Sequence, residues 1–203
     1  MNIGKIAILG NGISAGLLAY LLAPKNEVTI LKNRNYMFSP IPEILPREIF
    51  FNALGMNSDE QNTIIENTKS HLTNFILNIN NLENKISINS NEKYYIYDKE
   101  KLANYLLSTS NIEDIRYQSI EDIKALDNFD LIFDCRGKKS LINDPNYHTR
   151  IILPARTKCS YIIAECPEKM LENTMSFWKK NNKNLDYKKT FFAIPIGNNK
   201  ISI

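Results

Sequence analysis

Two histidines, three cysteines and one tryptophan are all that 203 residues offer of the side chains most used for metal binding, thiol chemistry and proton transfer. Cys135, Cys159 and Cys166 are odd in number and lack metal-ligand spacing, so neither a disulfide framework nor a zinc site follows from them. His71 and His148 stand far apart in the chain, and a Ser-His-Asp triad or a two-histidine metal site has no support. No apolar run approaches the length that spans a bilayer, which predicts no membrane insertion. Charge excess is small too: the net charge is +3, and the lysines are dispersed, many among asparagines, without forming a stripe, so nucleic-acid binding is unsupported. Met1-Asn2-Ile3-Gly4-Lys5 runs directly into an apolar segment with no cleavage region, which predicts a cytoplasmic protein.

Glycine is also scarce, yet four of the seven, Gly4, Gly10, Gly12 and Gly16, fall in the first sixteen residues. Lys5–Leu9 reads as a short buried strand, and Gly10-Asn11-Gly12-Ile13-Ser14-Ala15-Gly16 turns from it into an apolar helix carrying Leu17, Leu18, Tyr20, Leu21 and Leu22. Pro24-Lys25-Asn26 ends that helix, and residues 27–31 form a second, β-branched strand. The whole is a βαβ unit with a dinucleotide fingerprint. Its logic is physical: the turn must be tight at Gly10, the backbone must approach a diphosphate at Gly12, and helix and strand must pack closely at Ala15 or Gly16. Free amides of the helix N-terminus, with Ser14 as a further donor, then face the anion.

The end of the second strand departs from that pattern. An acidic side chain there ordinarily accepts hydrogen bonds from a ribose, whereas this chain has Lys32-Asn33-Arg34. A cation suits a 2′-phosphate, as in NADP; it equally fits a lost ribose grip or a solvated loop.

Further along, the proline-punctuated residues 36–46 exclude a helix or a central strand and predict an ordered loop over the nucleotide site. Helices are expected over residues 47–54 and 58–79, the latter capped by Ser58, and strands over 85–90 and 93–97. Asp98 is expected to cap a helix over Lys99–Ser108 with a Leu102, Tyr105, Leu106 stripe. A strand over 115–119 and a helical turn over 120–126 lead to a buried strand over 130–134. The tail reads as strands over 150–153, 160–165, 191–196 and 200–203 around a helix near 167–179, with a loop over 179–189.

The strand ending in Asp134-Cys135-Arg136-Gly137, followed by Lys138-Lys139-Ser140-Leu141-Ile142, completes a resemblance. Taken with Gly10 to Gly16, it resembles the flavoprotein monooxygenase superfamily, in particular the flavin-dependent tryptophan halogenases and the lycopene cyclases. That resemblance implies a Rossmann-like α/β fold with a parallel central sheet, part of a mixed or antiparallel substrate-domain sheet, and FAD as cofactor, with NADP as the alternative. It implies that Asp134 and Gly137 lie near the cofactor, that Arg136 pairs with its phosphates or with a carboxylate, and that Arg47 contacts it.

Residues 1–150 are accordingly expected to form the FAD-binding domain, with an insertion over 36–97, and residues 151–203 a partial substrate-domain β segment. Complete members of the superfamily run well beyond this length and carry a Gly-Asp motif near the flavin, so the chain is expected to hold their N-terminal portion or to be a short member. The halogenase segment with paired tryptophans, lysine and catalytic glutamate has no counterpart, Trp178 standing by itself, and no catalytic residue is assigned. The expected function is an FAD-dependent oxidoreductase acting on a small-molecule substrate. The alternative is a degenerate Rossmann module that binds a protein partner or serves in assembly.

Overall fold

A computed structural model describes residues 4–33, 37–39, 42–80, 85–109, 112–117, 126–137, 161–165, 174–180, 189–197 and 200–203. In chain order the elements are β1 (Lys5–Leu9), α1 (Ile13–Leu22), β2 (Glu27–Asn33), β3 (Glu43–Pro46), α2 (Arg47–Ala53), α3 (Ser58–Thr68), β4 (His71–Asn80) and β5 (Lys85–Tyr97). They continue with α4 (Lys99–Ser108), β6 (Glu113–Tyr117), β7 (Leu131–Asp134), β8 (Ile163–Glu165), β9 (Thr174–Lys180), β10 (Lys189–Gly197) and β11 (Lys200–Ser202). The chain divides into two compact units, one of Met1–Pro40, Glu66–Thr68 and Asp98–Arg156, the other of Ile41–Ile65, Lys69–Tyr97 and Thr157–Ile203.

The first unit is a parallel sheet of order β6-β2-β1-β7, with β1 between β2 and β7; a parallel central sheet is as expected. A central parallel strand is covered on both faces and therefore reads as an unbroken apolar run. In β1, Ile6 and Ile8 join Ala15, Ala19, Val28 and Ile30 on one side, while Ala7 and Leu9 join Leu31 and Leu126 on the other. Full burial of Ile6 and Ile8 contributes on the order of 1.5–3 kcal/mol each. β1 and β7 are also stitched at their starts: Lys5 N donates to Asp130 Oδ2 and Asp130 N to Lys5 O, both at 2.8 Å.

Helix α4 begins as the sequence implies, with the Asp98 carboxylate accepting from Lys101 N at 3.0 Å. Its buried face is Leu102, Ala103 and Leu106, so Ala103 rather than Tyr105 completes the stripe. The small side chain lets α1 approach.

In the second unit seven strands run in the order β3-β5-β4-β9-β10-β11-β8, all antiparallel except the β4–β9 pair. Several expectations are corrected here. Residues 58–79 are not one helix: α3 stops at Thr68, Lys69 turns left-handed at φ 51°, and β4 follows. Leu72, Phe75, Ile76 and Ile79 fit a helical stripe by spacing, but the backbone groups of β4 find partners on β5 and β9 instead. Nor is Ser58 the cap. Asn57 Oδ1 accepts from Asp59 N and Glu60 N at 2.9 and 3.0 Å, and Glu60 Oε2 accepts from Asn57 N at 2.8 Å, a reciprocal capping box.

The strands expected over 85–90 and 93–97 are one strand, and the break between them is a bulge, since Asn74 pairs with Lys93 and Phe75 with Ser90. Residues 43–46, expected as loop, form β3 at the edge of the sheet, where Pro46 removes no ladder donor that a central strand would need. Of the helix expected near 167–179, residues 167–173 lie outside the described residues, and Thr174–Lys180 is strand β9, paired on both sides by β4 and β10. The strand expected over 150–153, most of the turn over 120–126 and residues 181–188 of the expected loop lie outside the described residues.

Helix α2 packs four rings together. Phe50 stacks on Tyr95 at 5.0 Å and on Tyr97 at 6.0 Å, and Phe51 meets Phe50 edge-on at 5.0 Å. Both phenols are satisfied: Ser70 Oγ donates to Tyr95 Oη at 2.9 Å, and Tyr97 Oη donates to Glu43 Oε2 at 3.1 Å. Burial and the neighbouring Glu43 carboxylate push the Tyr97 phenol far above its ordinary range.

Candidate functional site

The turn from β1 into α1 is held from both neighbouring strands. Gly10 N donates to Leu31 O of β2 at 2.9 Å, and Cys135 N at the end of β7 donates to Leu9 O at 2.8 Å. Gly10 has φ +119°, and a Cβ built there would lie 2.9 Å from Cys135 O and 3.4 Å from Arg136 N. Only glycine meets both conditions without strain.

Gly12 is the N-cap of α1, with extended backbone at φ −82° and ψ −174°; no side chain caps the helix and no acidic residue occupies its first turn. The first amides of an α-helix lack intrahelical acceptors, and their dipole favours an anion. Ser14 is exposed in this first turn. The turn therefore carries donors and no competing carboxylate, which suits a diphosphate.

The sequence left open which small residue completes the fingerprint, and the packing separates the two. Ala15 is fully buried with Ile6, Ile8 and Val28 in the helix–sheet core. Gly16 faces the other way: a Cβ there would lie 3.3 Å from Ala103 O and 3.4 Å from Leu106 Cβ of α4. Ala15 thus holds the helix-to-sheet position, and Gly16 is small for the sake of the α1–α4 contact.

Beyond the turn, Asp134 ends β7 and Arg136 folds back onto it. Asp134 Oδ1 accepts from Arg136 Nε at 2.9 Å and from Arg136 N at 3.2 Å, while Oδ2 accepts from Nη2 at 2.8 Å. Residues two apart on extended chain share a face, so the spacing itself signals this ring. The Arg136 side chain is 6% exposed and that of Asp134 17%. Between them, Cys135 is half-buried, and burial together with the Asp134 charge pushes its thiol up, away from nucleophilic thiolate. Gly137 follows at φ +61°, exposed and with open space where a Cβ would stand.

Lys32 sits near the carboxyl end of β2, in register with Arg116 of β6. Lys32 thus stands where the fingerprint ordinarily has an acid. Arg47 belongs to the second unit, at the start of α2; its Nη2 donates to Gln61 Oε1 at 2.8 Å, and its buried Nε has no hydrogen-bond partner. In the same unit His71 Nε2–H donates to Pro195 O at 3.0 Å. Among the described residues, no three His, Cys, Asp or Glu side chains gather as metal ligands, and no helix is long and apolar enough to cross a membrane.

No protein-family model matches the sequence. A search of curated proteins finds no match either. Solved structures do match. A thermophilic tryptophan halogenase from Streptomycin violaceusniger superposes with a TM-score of 0.65 at 12% identity, covering 98% of this chain and 58% of its own. A tryptophan halogenase from Shewanella frigidimarina NCIMB 400 gives 0.60 at 14% identity, covering 98% and 55%. A variant of 2-methyl-3-hydroxypyridine-5-carboxylic acid oxygenase gives 0.66 at 10% identity, covering 98% and 57%. The chain thus spans little more than half the length of the proteins it matches. The chain has the fold that these halogenases and that oxygenase share, with a parallel sheet in one unit and a largely antiparallel sheet in the other.

Proposed function

We propose that this chain is the FAD-binding part of an oxidoreductase of the monooxygenase and halogenase kind, acting on a small-molecule substrate in the cytoplasm. The observation that carries the reading is the glycine corner, where Gly10 is clamped between the ends of β2 and β7 and Gly12 opens a helix with no acidic first turn. Bound FAD supplies redox chemistry that side chains lack; the protein's part is to hold, orient and shield it. The first amides of α1 and the Ser14 hydroxyl donate to the diphosphate, Gly12 admits it to the backbone, and Ala15 keeps the helix close to the sheet. Asp134 and Arg136 border the same turn, and Gly137 follows them in the chain.

Lys32 favours two variants of this reading. It fits a 2′-phosphate, which would make NADP the nucleotide. It also fits a Rossmann module that has lost its ribose grip and serves as a binding or assembly protein. The absorption spectrum of the purified protein and calorimetric titrations with FAD and NADP separate them. A flavin spectrum with FAD binding is the expected result. Selective NADP binding replaces the cofactor, and a colourless protein that binds neither leaves the non-catalytic module.

A further inference from the structure

We propose that Arg136 is a positioning residue whose guanidinium neutralises Asp134 beside the glycine turn, so that the turn admits a diphosphate. This rests on the dinucleotide reading above. The geometry is specific. A carboxylate ends the strand next to β1, and the chain directly after it approaches Gly10 so closely that a Cβ on Gly10 would stand 3.4 Å from Arg136 N. Left unbalanced there, a negative charge would oppose the anion that the α1 amides attract.

The chain meets this with a fork of two side-chain donors and one backbone donor, all from Arg136. Such bidentate, charge-assisted bonds fix the direction of both groups. With the Arg136 side chain 6% exposed, the guanidinium is held against the carboxylate and is not spread into solvent. Asp134 in turn keeps the cation at the strand end. The pair holds opposite charges together at a position where either charge alone would change what the turn binds.

A charge cycle tests this, with FAD and inorganic pyrophosphate as probes at low ionic strength. Arg136→Met should weaken FAD binding roughly tenfold, the size of one unscreened like charge nearby. Asp134→Asn should tighten binding by a similar factor, and the double variant should recover most of the loss. Arg136→Lys, which keeps the charge but loses the fork, should stay near the unmodified protein. If Arg136→Met does not fold, the sign of the Asp134→Asn effect decides.

Weaker binding in Asp134→Asn, or a double variant as poor as Arg136→Met, overturns the proposal, because Asp134 or Arg136 would then hold the ligand directly. Pyrophosphate separates the two layers of inference. An unmodified protein that binds pyrophosphate but not FAD sinks the flavin reading while the cycle is still read on pyrophosphate. One that binds neither overturns both.

Discussion

The Cα of Gly10 and the carbonyl of Cys135 stand so close that a methyl group on the former would meet the latter at 2.9 Å. The contact joins the first strand of the nucleotide motif to the last described strand of the parallel sheet, so the two sequence motifs read separately in the chain are one structural object.

Gly10→Ala should therefore damage stability as well as binding. A left-handed φ of +119° and a carbonyl in the way of the new methyl together cost about 2–4 kcal/mol. Urea unfolding monitored by circular dichroism measures it. An unchanged midpoint would mean that the β1–β7 junction can shift without penalty.

Gly16→Val tests a different surface. The branched side chain would press on Ala103 and Leu106 of α4, at an overpacking cost of about 1–3 kcal/mol. Because Gly16 faces away from the sheet core, the loss should appear in unfolding and leave FAD affinity nearly unchanged at temperatures where the protein stays folded. A selective loss of FAD binding without destabilisation would place Gly16 in the nucleotide contact.

Lys32→Glu restores the acid that ordinarily accepts ribose hydroxyls. For an FAD binder with a weakened ribose grip the gain should be about 1–2 kcal/mol, as for hydrogen bonds to a charged acceptor. If Lys32 holds a 2′-phosphate, the same change should weaken NADP and leave FAD unimproved. Parallel titrations of both cofactors against both proteins show which direction holds.

His71 gives an acid-side signature. Burial lowers its pKa, against which the bond to Pro195 O works in the other direction. The unfolded chain takes up a proton near its ordinary value of 6.5, before the folded chain does, so stability should fall as the pH drops below that value and level off below the folded pKa. Denaturant titrations from about pH 7 to about pH 5 measure the slope. In His71→Gln that contribution to the slope should vanish; a slope that persists in full would assign it to other groups.

What was legible in the sequence was what local chemistry determines. The strand Lys5–Leu9 announced itself because a strand buried on both faces needs an apolar run, and the glycines between β1 and α1 marked a turn that only they can make; Leu131–Asp134 was legible as a strand but not as the buried one expected, since it is partly exposed, Ile132 most of all. The Asp98 cap was legible for the same reason. What failed depended on distant partners. Residues 71–80 carry a spacing compatible with helix, and nothing within them reveals that Thr174 will lie beside Asn74. Two local signals were present but passed over. Asn57 and Glu60 have capping-box spacing, and Asp134 and Arg136 have the two-residue spacing that brings side chains together at a strand end.

The same pairings bear on how the chain reaches its fold. Ile6 is hydrogen-bonded in register with Leu131, and Asn74 with Thr174, so each sheet is closed by a strand made long after its first one. Both units are assembled from interleaved stretches of the polypeptide. High contact order of this kind slows folding, because the entropy of large loops is lost before the contacts that reward it form. On the ribosome, β1 and β2 emerge with both flanks of the sheet still unsynthesised, and their edges must stay protected until β6 and β7 arrive.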